Sequence, residues 1–512
     1  MVHISANPPS SSANAPPAAP PGPTAKKPRV SRVTAAIIVV VVLVVAGVGG
    51  YFLYKELTPS SSSNTITVGM PLPLDSLIGQ NILQSAQLAV NQINAAGGVD
   101  VNGTSYQYKI VTYDTEEADP SIPIANGVQG VTTLITQDHV NFLIGGYRSD
   151  VVLAELPIAA EYKTLYITFG ADTGVESFVG TNYATSGKYI FDGFTNTTAQ
   201  GDQYNSLLLF LLTGYKEGVF PTNITNIAVL GEQAAWTQAD IGTGGTGSPL
   251  WPILKSVGFN PVYIEYFPTQ PTGGSYDSLL TTLANDNTQA IYILAAGTET
   301  PLLISNYGDF NWAADTATNH QKPLLLGADV MAEFNGTTST NNYFKMTGGA
   351  CADEMTFGWG PTLSGISFTP SSVPFYNDFV QNYSVNPSFA DGFVYSAFFY
   401  LAQAIEKAKS LSTDAVIPFL QATDFTGPMG TVRFSSTHGL NVSLYPYPSD
   451  PAFGMQWHQN GMLYPIWSSL WTKPNFPAAA TFTAGSTVWF KNYEYVNSTG
   501  AAQTVGNFTV IL

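Results

Sequence analysis

Two polar residues stand directly after apolar, strand-like runs, where side chains can bind a small charged molecule. Ser149 follows the run VNFLIGG at 140–146 and opens a stretch with helical spacing. Backbone N–H groups and the helix dipole favour an anion at such a helix start. Asp329 ends the run PLLLGAD and supplies a carboxylate that can pair with a cation. Each residue also has a simpler role open to it as a helix N-cap, because Ser and Asp are both preferred there.

Catalytic motifs are not visible in the rest of the sequence. It contains no Gly-x-Ser-x-Gly elbow, no Gly-Lys-Ser/Thr phosphate loop and no His-Glu-x-x-His. Its five histidines are scattered, without a cysteine or carboxylate at metal-ligand spacing. GTGGTG at 242–247 matches Gly-x-Gly-x-x-Gly, but a dinucleotide site needs that motif directly between a strand and a helix. We therefore expect a binding protein rather than an enzyme, with no metal and no cofactor.

Strand-like and helix-like segments alternate over some 260 residues. The apolar, strand-like runs are 66–70, 108–113, 140–146, 164–170, 227–231, 261–267, 290–296 and 323–329. Amphipathic stretches of helical length lie between them, at 125–137, 150–162, 200–214 and 276–286. Such alternation predicts parallel sheets with helices on both faces, and two sheets fit the number of strands better than one. Ligands bind outside the carboxyl ends of the strands in such sheets.

The composition limits the classes of partner. Only 10% of the 512 residues are charged and 45% are apolar, with a net charge of −17. An acidic chain repels phosphate groups, which excludes nucleic acid as a partner. Cys351 is the single cysteine and cannot form an internal disulfide, so the core must hold the fold together.

The N-terminus predicts a membrane anchor. Residues 1–33 are rich in Pro, Ser and Ala and end in the basic cluster KKPRVSR, which is typical of a disordered cytoplasmic tail. Residues 34–54 carry no charge and can cross a bilayer as one helix, which places the chain after the Ser-rich linker 55–64 outside the cell. A cleaved signal peptide is the alternative, although the run is long for one. Asn-x-Ser/Thr sequons agree with an extracellular glycoprotein, and chance in an Asn/Thr-rich chain is the alternative; they begin at Asn102, Asn196, Asn223, Asn335, Asn382, Asn441, Asn497 and Asn507.

The order of motifs in the outer part resembles the solute-binding proteins of branched-chain amino-acid ABC transporters, the type I periplasmic binding proteins. The first matching unit has the strand ITVGM, a loop with Gly79, a helix ending in INAAGG and a strand ending in YDTEEADP. VNFLIGGYRSDVVLAELPIAAEYKTLYITFGAD is similar to the second unit, and AIYILAAGTETPLLI and KPLLLGAD to later strands. FADGFVYSAFFYLAQAIEKA, FTGPMGTVRF and FGMQWHQNG resemble the closing section, so the likeness covers residues 65–465.

The resemblance implies an α/β fold of two Rossmann-like lobes with parallel sheets, joined by a three-strand hinge. The ligand would lie in the cleft between the lobes, which close on it. Lobe 1 would comprise residues 65–192 and 358–432, and lobe 2 residues 193–357 and 433–467. Residues 468–512 lie outside the resemblance and are expected to form a β-rich C-terminal extension.

The resemblance also implies which residues bind the carboxylate of a ligand. Ser149 matches the family's ligand-binding serine, and the next strand end, FGADT, aligns Gly170, Asp172 and Thr173 with the site. The family usually has a hydroxyl or an alanine where Asp172 stands, and a carboxylate there would repel that of the ligand. Either Asp172 points away and Thr173 supplies the hydroxyl, or the ligand is not an ordinary amino acid. Arg148 is either a neutralising charge at this corner or a solvated one.

The second lobe would bind the other end of the ligand. An acid at the position of Asp329 pairs with the ligand ammonium in the family, and Glu299 is a second candidate. An ammonium in a closed cleft needs such a partner, since an unpaired buried charge is strongly unfavourable. Ile78 aligns with an aromatic residue that covers the ligand side chain, and Trp236 with an aromatic residue of lobe 2. Aromatic residues at such positions are also common in cores.

We therefore expect an extracellular solute-binding subunit that captures a branched-chain or related amino acid and delivers it to an ABC permease. Its partners are then a small-molecule ligand, an amino acid or an amide, and the permease in the membrane. Relatives of this fold also carry urea, so the ligand stays open. A ligand-sensing receptor ectodomain and a surface adhesion protein are the alternatives, and the short cytoplasmic tail argues against self-contained signalling.

Overall fold

The first sheet has six strands in the order β2-β3-β1-β4-β5-β6. The computed structural model describes residues 64–119, 121–170, 173–194, 225–256, 258–312, 322–443, 452–468 and four short strands within 487–511. The strands of the first sheet are β1 (Thr65–Leu72), β2 (Val99–Val101), β3 (Thr104–Asp114), β4 (Phe142–Gly145), β5 (Tyr166–Thr168) and β6 (Ile190–Asp192). All neighbours are parallel except β2, which pairs antiparallel with β3. β4 and β5 are buried along their whole length, which explains their unbroken apolar sequence.

The second sheet has seven strands in the order β16-β15-β11-β10-β9-β7-β8. The strands are β7 (Asn226–Glu232), β8 (Asn260–Phe267), β9 (Ala290–Ala295), β10 (Leu324–Asp329), β11 (Met355–Trp359), β15 (Ala452–Trp457) and β16 (Leu463–Ser468). β7 to β11 are parallel, as the sequence predicts, but β15 and β16 join antiparallel, so the sheet is mixed. All eight predicted strand runs are strands in the structure.

Helices cover the sheets. Those of the described residues are α1 (Leu77–Ala95), α2 (Ala125–Thr136), α3 (Ser149–Glu161), α4 (Thr173–Asn182), α5 (Gln238–Ile241), α6 (Leu250–Ser256), α7 (Asp277–Asn285), α8 (Thr300–Asp309), α9 (Tyr343–Met346), α10 (Ser372–Tyr383), α11 (Asp391–Ala408) and α12 (Thr413–Gln421). The predicted helices at 125–137, 150–162 and 276–286 are confirmed, whereas 200–214 lies outside the described residues.

The sequence around helix α1 explains where the helix begins and ends. The Ser76 hydroxyl caps it by accepting from the Gly79 N–H at 3.1 Å. At the other end Gly98 has φ +81°, and its N–H donates to the Ile93 carbonyl at 2.9 Å. A Cβ on Gly98 would lie 2.1 Å from the carbonyl oxygen of Tyr106 in β3. Glycine is therefore required for the chain to leave the helix and enter the sheet.

After β11 the chain returns to the first sheet, where α11 packs on α1. Asn81 and Ser85 of α1 bind the start of α11, with Nδ2 of Asn81 donating to Asp391 Oδ2 at 3.0 Å. We call the first sheet with α1–α4 and α10–α12 the first lobe, and the second sheet with α5–α9 the second lobe.

A small sheet follows, with strands β12 (Phe425–Gly427), β13 (Gly430–Phe434) and β14 (Leu440–Ser443). The turn between β13 and β14 packs on the first lobe, since the His438 carbonyl accepts from the Asp192 N–H at 3.0 Å. The predicted boundary between residues 432 and 433 falls inside this hairpin. The lobe boundaries therefore stay a prediction.

The predicted anchor at 34–54 lies outside the described residues, as do the tail before it and most of the linker after it. Among the residues that are described, no helix combines the length and apolar character needed to cross a membrane. Beyond residue 486 the structure has β17 (Thr487–Phe490) paired with β20 (Phe508–Ile511), and β18 (Tyr493–Val496) paired with β19 (Ala502–Val505).

Candidate functional site

The carboxyl ends of the two sheets meet at a pair of loops. The β4 loop (146–148) leads from β4 into α3, and the β9 loop (296–299) leads from β9 into α8. The Tyr147 hydroxyl in the β4 loop donates to the Ala296 carbonyl in the β9 loop. Helix α3 also contacts the short 3-10 turn Ala235–Thr237 of the second lobe. A small molecule bound here therefore has both lobes within reach.

Ser149 is buried and is the first residue of α3. The N-cap position belongs to Arg148, whose backbone is extended and whose side chain makes no capping hydrogen bond. The Asp150 carboxylate instead accepts from the Val151 N–H at 3.0 Å. The simple N-cap role for Ser149 is thus not what the structure shows, and its hydroxyl stands at the positive end of the helix dipole.

Gly146 makes the turn into this helix possible. Its φ is +77°, and a Cβ would lie 2.5 Å from the Tyr166 hydroxyl and 2.6 Å from Val152 Cγ2. Gly170 at the next strand end is also required, since a Cβ there would lie 2.3 Å from Val152 Cγ2. Two neighbouring strand ends are therefore held against the start of α3 by backbone that leaves no room for side chains.

The two remaining carboxylate-binding candidates are only partly visible. Thr173 is the first residue of α4, and its predicted contact with the ligand stays a prediction. Asp172 lies outside the described residues. Both predicted alternatives, that Asp172 points away from the ligand or that the ligand is not an ordinary amino acid, therefore stay predictions.

Arg148 is neither a solvated charge nor a group with its charge open to the cleft. It is 7% exposed, and its guanidinium binds the Asp150 carboxylate at 2.7 Å and the carbonyls of Asp119 and Ile122 at 2.9 and 3.1 Å. It therefore fixes the loop after β3 against the start of α3.

A pair of buried acids lies behind this corner. Glu117 accepts from the Arg148 N–H at 3.2 Å and from the Thr115 hydroxyl at 3.0 Å, and burial raises its pKa to about 7. Glu155 of α3 accepts from the Tyr166 hydroxyl at 2.6 Å. Burial and then the charge of Glu117 raise the pKa of Glu155 well above its usual range. Burial thus favours the protonated form of both carboxyls in the first lobe.

Asp329 stands at the end of β10, as predicted, and is 1% exposed. Both of its oxygens already have partners in the second lobe. Oδ1 accepts from the Thr300 hydroxyl and the Met331 N–H, each at 2.9 Å, and Oδ2 from the Tyr343 hydroxyl at 2.7 Å. Burial raises its pKa to about 6. Its predicted contact with a ligand ammonium stays a prediction.

Glu232 and Glu299 form a second pair of acids in the second lobe. Glu232 ends β7 and accepts from the N–H groups of Ala296 and Gly297 at 2.9 and 2.7 Å. It also accepts from the Trp236 indole N–H at 2.5 Å. Glu299 hydrogen-bonds to Glu232 through its side chain, and burial followed by the charge of Glu232 raises its pKa to about 9.

The two apolar candidates differ in exposure. Ile78 is fully buried in the core at the start of α1. Trp236 is half-buried in the 3-10 turn that α3 contacts, and its indole holds Glu232. A cluster of three aromatic side chains includes Tyr147 of the β4 loop. The ring centroids of Tyr147 and Phe389 are 6.3 Å apart, and those of Phe389 and Phe194 are 5.3 Å apart.

Comparison with known proteins shows the family of this chain. A family model described as periplasmic binding protein matches residues 65–450. The chain belongs to the periplasmic binding protein family. The resemblance found in the sequence is thereby confirmed.

Solved structures of such binding proteins share the fold of this periplasmic binding protein. LivJ of Streptococcus pneumoniae, a branched-chain amino acid transporter substrate binding protein in complex with isoleucine, has 17% identity and a TM-score of 0.54, with 79% of this chain and 100% of that chain covered. A leucine binding protein of Thermotoga maritima has 15% identity and a TM-score of 0.52, covering 79% and 98%. A solute binding protein of R. palustris in complex with benzoate has 14% identity and a TM-score of 0.57, covering 79% and 96%.

Some residues of this binding protein's site are not found by sequence reasoning. Glu232 ends an apolar strand just as Asp329 does, so the pattern that predicts Asp329 as a site residue, an acid at the end of an apolar strand, is also present at Glu232. Glu117 and Glu155 become visible only once β3 and α3 are placed side by side. Tyr147 follows two glycines at a strand end, which is the one signal for its position between the lobes.

Proposed function

We propose that this periplasmic binding protein captures an amino acid or a closely related small solute between its lobes and delivers it to an ABC permease. It catalyses no reaction in this account. Ligand that contacts both lobes stabilises their closed arrangement and shifts a pre-existing equilibrium towards it.

The observation that carries this proposal is the link between the β4 and β9 loops. The contact of Tyr147 with Ala296 brings the carboxyl ends of the parallel strands of both sheets to one place, and ligands of such sheets bind at those ends. The start of α3, with the Arg148 guanidinium beside it, lies on one side of this place, and the buried acids Glu232, Glu299 and Asp329 lie on the other. A ligand with a carboxylate and an ammonium fits such a polarity.

On the first lobe, Ser149 and the backbone at Gly170 and Thr173 would hold the carboxylate, with the helix dipole of α3 behind them. On the second lobe, Asp329 or Glu299 would pair with the ammonium, and Trp236 would form part of the wall. Ile78 would support the wall from the core. The isoleucine in the Streptococcus pneumoniae structure supports a branched-chain or similar amino acid as the first ligand to test.

The location and the permease partner are part of the same proposal. The uncharged run 34–54, with its basic flank on the N-terminal side, supports a signal anchor with the lobes outside the cell. An anchored binding protein stays near the membrane-embedded permease to which it delivers. Protease treatment of intact cells tests this placement, because it should remove the lobes and leave a short N-terminal fragment in the membrane.

Thermal unfolding of the full-length protein in detergent tests the capture function. We expect one class among the twenty amino acids, simple amides and urea to raise the melting temperature. A ligand at a hundred times its dissociation constant stabilises the folded state by about 2.7 kcal/mol. No shift with any of these compounds would contradict the proposal.

Variants locate the binding site in the same assay. Ser149→Ala should remove the ligand-induced shift. Ser85→Ala is the matched control, because Ser85 is also a buried serine with a hydrogen-bonded hydroxyl, at the α1–α11 contact. It should lower the melting temperature of the free protein and keep the shift. A full shift in Ser149→Ala would place the ligand elsewhere.

A further inference from the structure

The acids of the second lobe differ in their capacity to accept another hydrogen bond. Asp329, the predicted ammonium partner, has three donors on its two oxygens. Glu299 is 7% exposed, and its Oε1 is buried and accepts no hydrogen bond from any described residue. A buried acceptor without a donor is unfavourable by about 1–3 kcal/mol. Glu299 therefore has one oxygen without any donor, whereas both oxygens of Asp329 have donors.

Glu299 and Glu232 converge on one point of the β9 loop. A Cβ on Gly297 would lie 2.2 Å from Glu299 Oε2 and 3.0 Å from Glu232 Oε2. The absence of a side chain at Gly297 is thus what allows both carboxyls to approach each other. Their side chains are hydrogen-bonded, and two carboxyls can form that bond only if one of them carries a proton.

The proton belongs on Glu299. Glu232 accepts from three N–H donors, those of Ala296, Gly297 and Trp236, and these favour its ionised form. The charged groups that act on Glu299 are Glu232 from β7 and Asp329 from β10, and both are acids. Tyr276, before α7, faces it as well. The ion pairs found among the described residues involve other acids, namely Asp150, Asp414 and Asp424.

The pair also touches the boundary between the lobes. Glu232 binds the Ala296 N–H, and the carbonyl of the same residue accepts from Tyr147 of the first lobe. Trp236, which donates to Glu232, lies in the turn that α3 contacts. A cationic group that enters between the lobes at the β9 loop therefore lies next to this pair.

We propose that the Glu232–Glu299 pair is the subsite for the ammonium of the ligand, and that the ammonium takes the place of the shared proton. The proton leaves Glu299 for solvent as the ammonium binds, and the N–H groups of the ligand then donate to Glu232 and to Glu299 Oε1. The charge of the pair changes from −1 to −2 and is balanced by the cation. This subsite rests on the proposed capture function and makes a cationic group a requirement for tight binding.

Titration calorimetry of the full-length protein at pH 7 tests the exchange, in two buffers with different ionisation enthalpies. The probes are the twenty L-amino acids and, for the one that binds best, the carboxylic acid that lacks only its ammonium, such as 4-methylpentanoate for L-leucine. We expect the amino acid to release about one proton per site, so that its affinity rises about tenfold per pH unit near neutrality. The deaminated acid should bind at least about tenfold more weakly and release none.

Two variants make the assignment specific. Glu299→Gln should abolish proton release and weaken amino-acid binding about 10- to 100-fold, because a hydrogen bond to a charged group is lost. Asp240→Asn is the control: Asp240 is a half-buried acid of the same lobe, outside the pair, and its replacement should change neither quantity. Gly297→Ala should displace the Glu299 carboxyl and act like Glu299→Gln if the latter does not fold.

The outcomes separate this inference from the proposed function. If no amino acid binds the unmodified protein, the capture function itself is wrong. If an amino acid binds without releasing a proton, or binds Glu299→Gln as tightly as the unmodified protein, the function stands and the subsite is wrong. Equal binding of the deaminated acid would also overturn the subsite, and would direct attention to ligands such as the benzoate of the R. palustris structure.

Discussion

The buried acids of the two lobes have different neighbours at the place where the lobes meet. In the first lobe Glu117 lies against the Arg148 N–H, and the charge of Arg148 lowers its pKa against the effect of burial. In the second lobe the donors that the described residues supply to Glu232 and Asp329 are neutral, and Glu299 has Glu232 as its partner. One side of the cleft thus carries its own cation, and the other leaves the place of a cation to a proton or a ligand. Under the proposed function, this difference would let two similar sheets bind opposite ends of one zwitterion.

Replacement of Arg148 should have the largest effect, because it makes the first lobe resemble the second. Arg148→Met leaves Asp150 and two loop carbonyls without their donor and should reduce the free energy of unfolding by about 3–5 kcal/mol. Chemical denaturation measures this. Arg433→Met is the control, since the pair of Arg433 with Asp424 is exposed and contributes at most about 1 kcal/mol. Equal losses in the two variants would show that the buried guanidinium is not special.

Gly146→Ala should have the next largest effect. Its φ of +77° and the contact of a Cβ with Tyr166 and Val152 should together reduce stability by about 2–4 kcal/mol and impair ligand binding. Gly273 in the second lobe has the same φ of +77° with no atom within 4 Å of an added Cβ. Gly273→Ala therefore measures the backbone cost alone. If both variants lose the same stability, the close packing around the β4 loop has no energetic role.

The pH dependence of stability should show the smallest of these effects. A carboxyl whose pKa is higher in the folded state stabilises it below its unfolded pKa, and the contribution is lost as pH rises through the folded value. With Glu117 and Asp391 at about 7, the free energy of unfolding should fall between pH 5 and 8. Glu117→Gln should flatten this slope and raise stability at pH 8 by about 2 kcal/mol.

Asp414 provides a control of opposite sign. The exposed Lys188 lowers its pKa, so its small contribution is present at neutral pH and is lost on acidification. Asp414→Asn should leave the slope between pH 5 and 8 unchanged. A stability profile that rises from pH 5 to 8 would show that the buried carboxyls are ionised and solvated in solution.

The sequence predicts the sheets well because buried parallel strands have unbroken apolar runs that end in polar residues. Ser149 and Asp329 are found in this way, at the strand ends where the structure has them. The partners that a strand-end residue acquires in the fold are harder to predict. Thr300 and Tyr343 fill the oxygens of Asp329 from two separate helices, and no periodicity connects them.

The partnership of Glu232 with Glu299 is beyond sequence reasoning for a similar reason. It depends on β7 and β9 being neighbours in the sheet, although β8 lies between them in the chain. It also depends on Gly297, because a side chain there would collide with the Glu299 carboxyl and crowd that of Glu232. The sequence does not show this requirement, since it follows from the positions of both carboxyls in the fold. The antiparallel β15 and β16 break the rule of alternating strands and helices from which the parallel sheets were predicted.

Hydrogen–deuterium exchange of the full-length protein tests the central claim most directly, because it locates the ligand without changing a residue. The measurement compares the free protein with the protein saturated by the amino acid that stabilises it most. Protection should appear together in the β4 loop with the first turn of α3 and in the β9 loop with the start of α8. Protection of only one of these loops, or of neither, would contradict a ligand held between the two sheet edges.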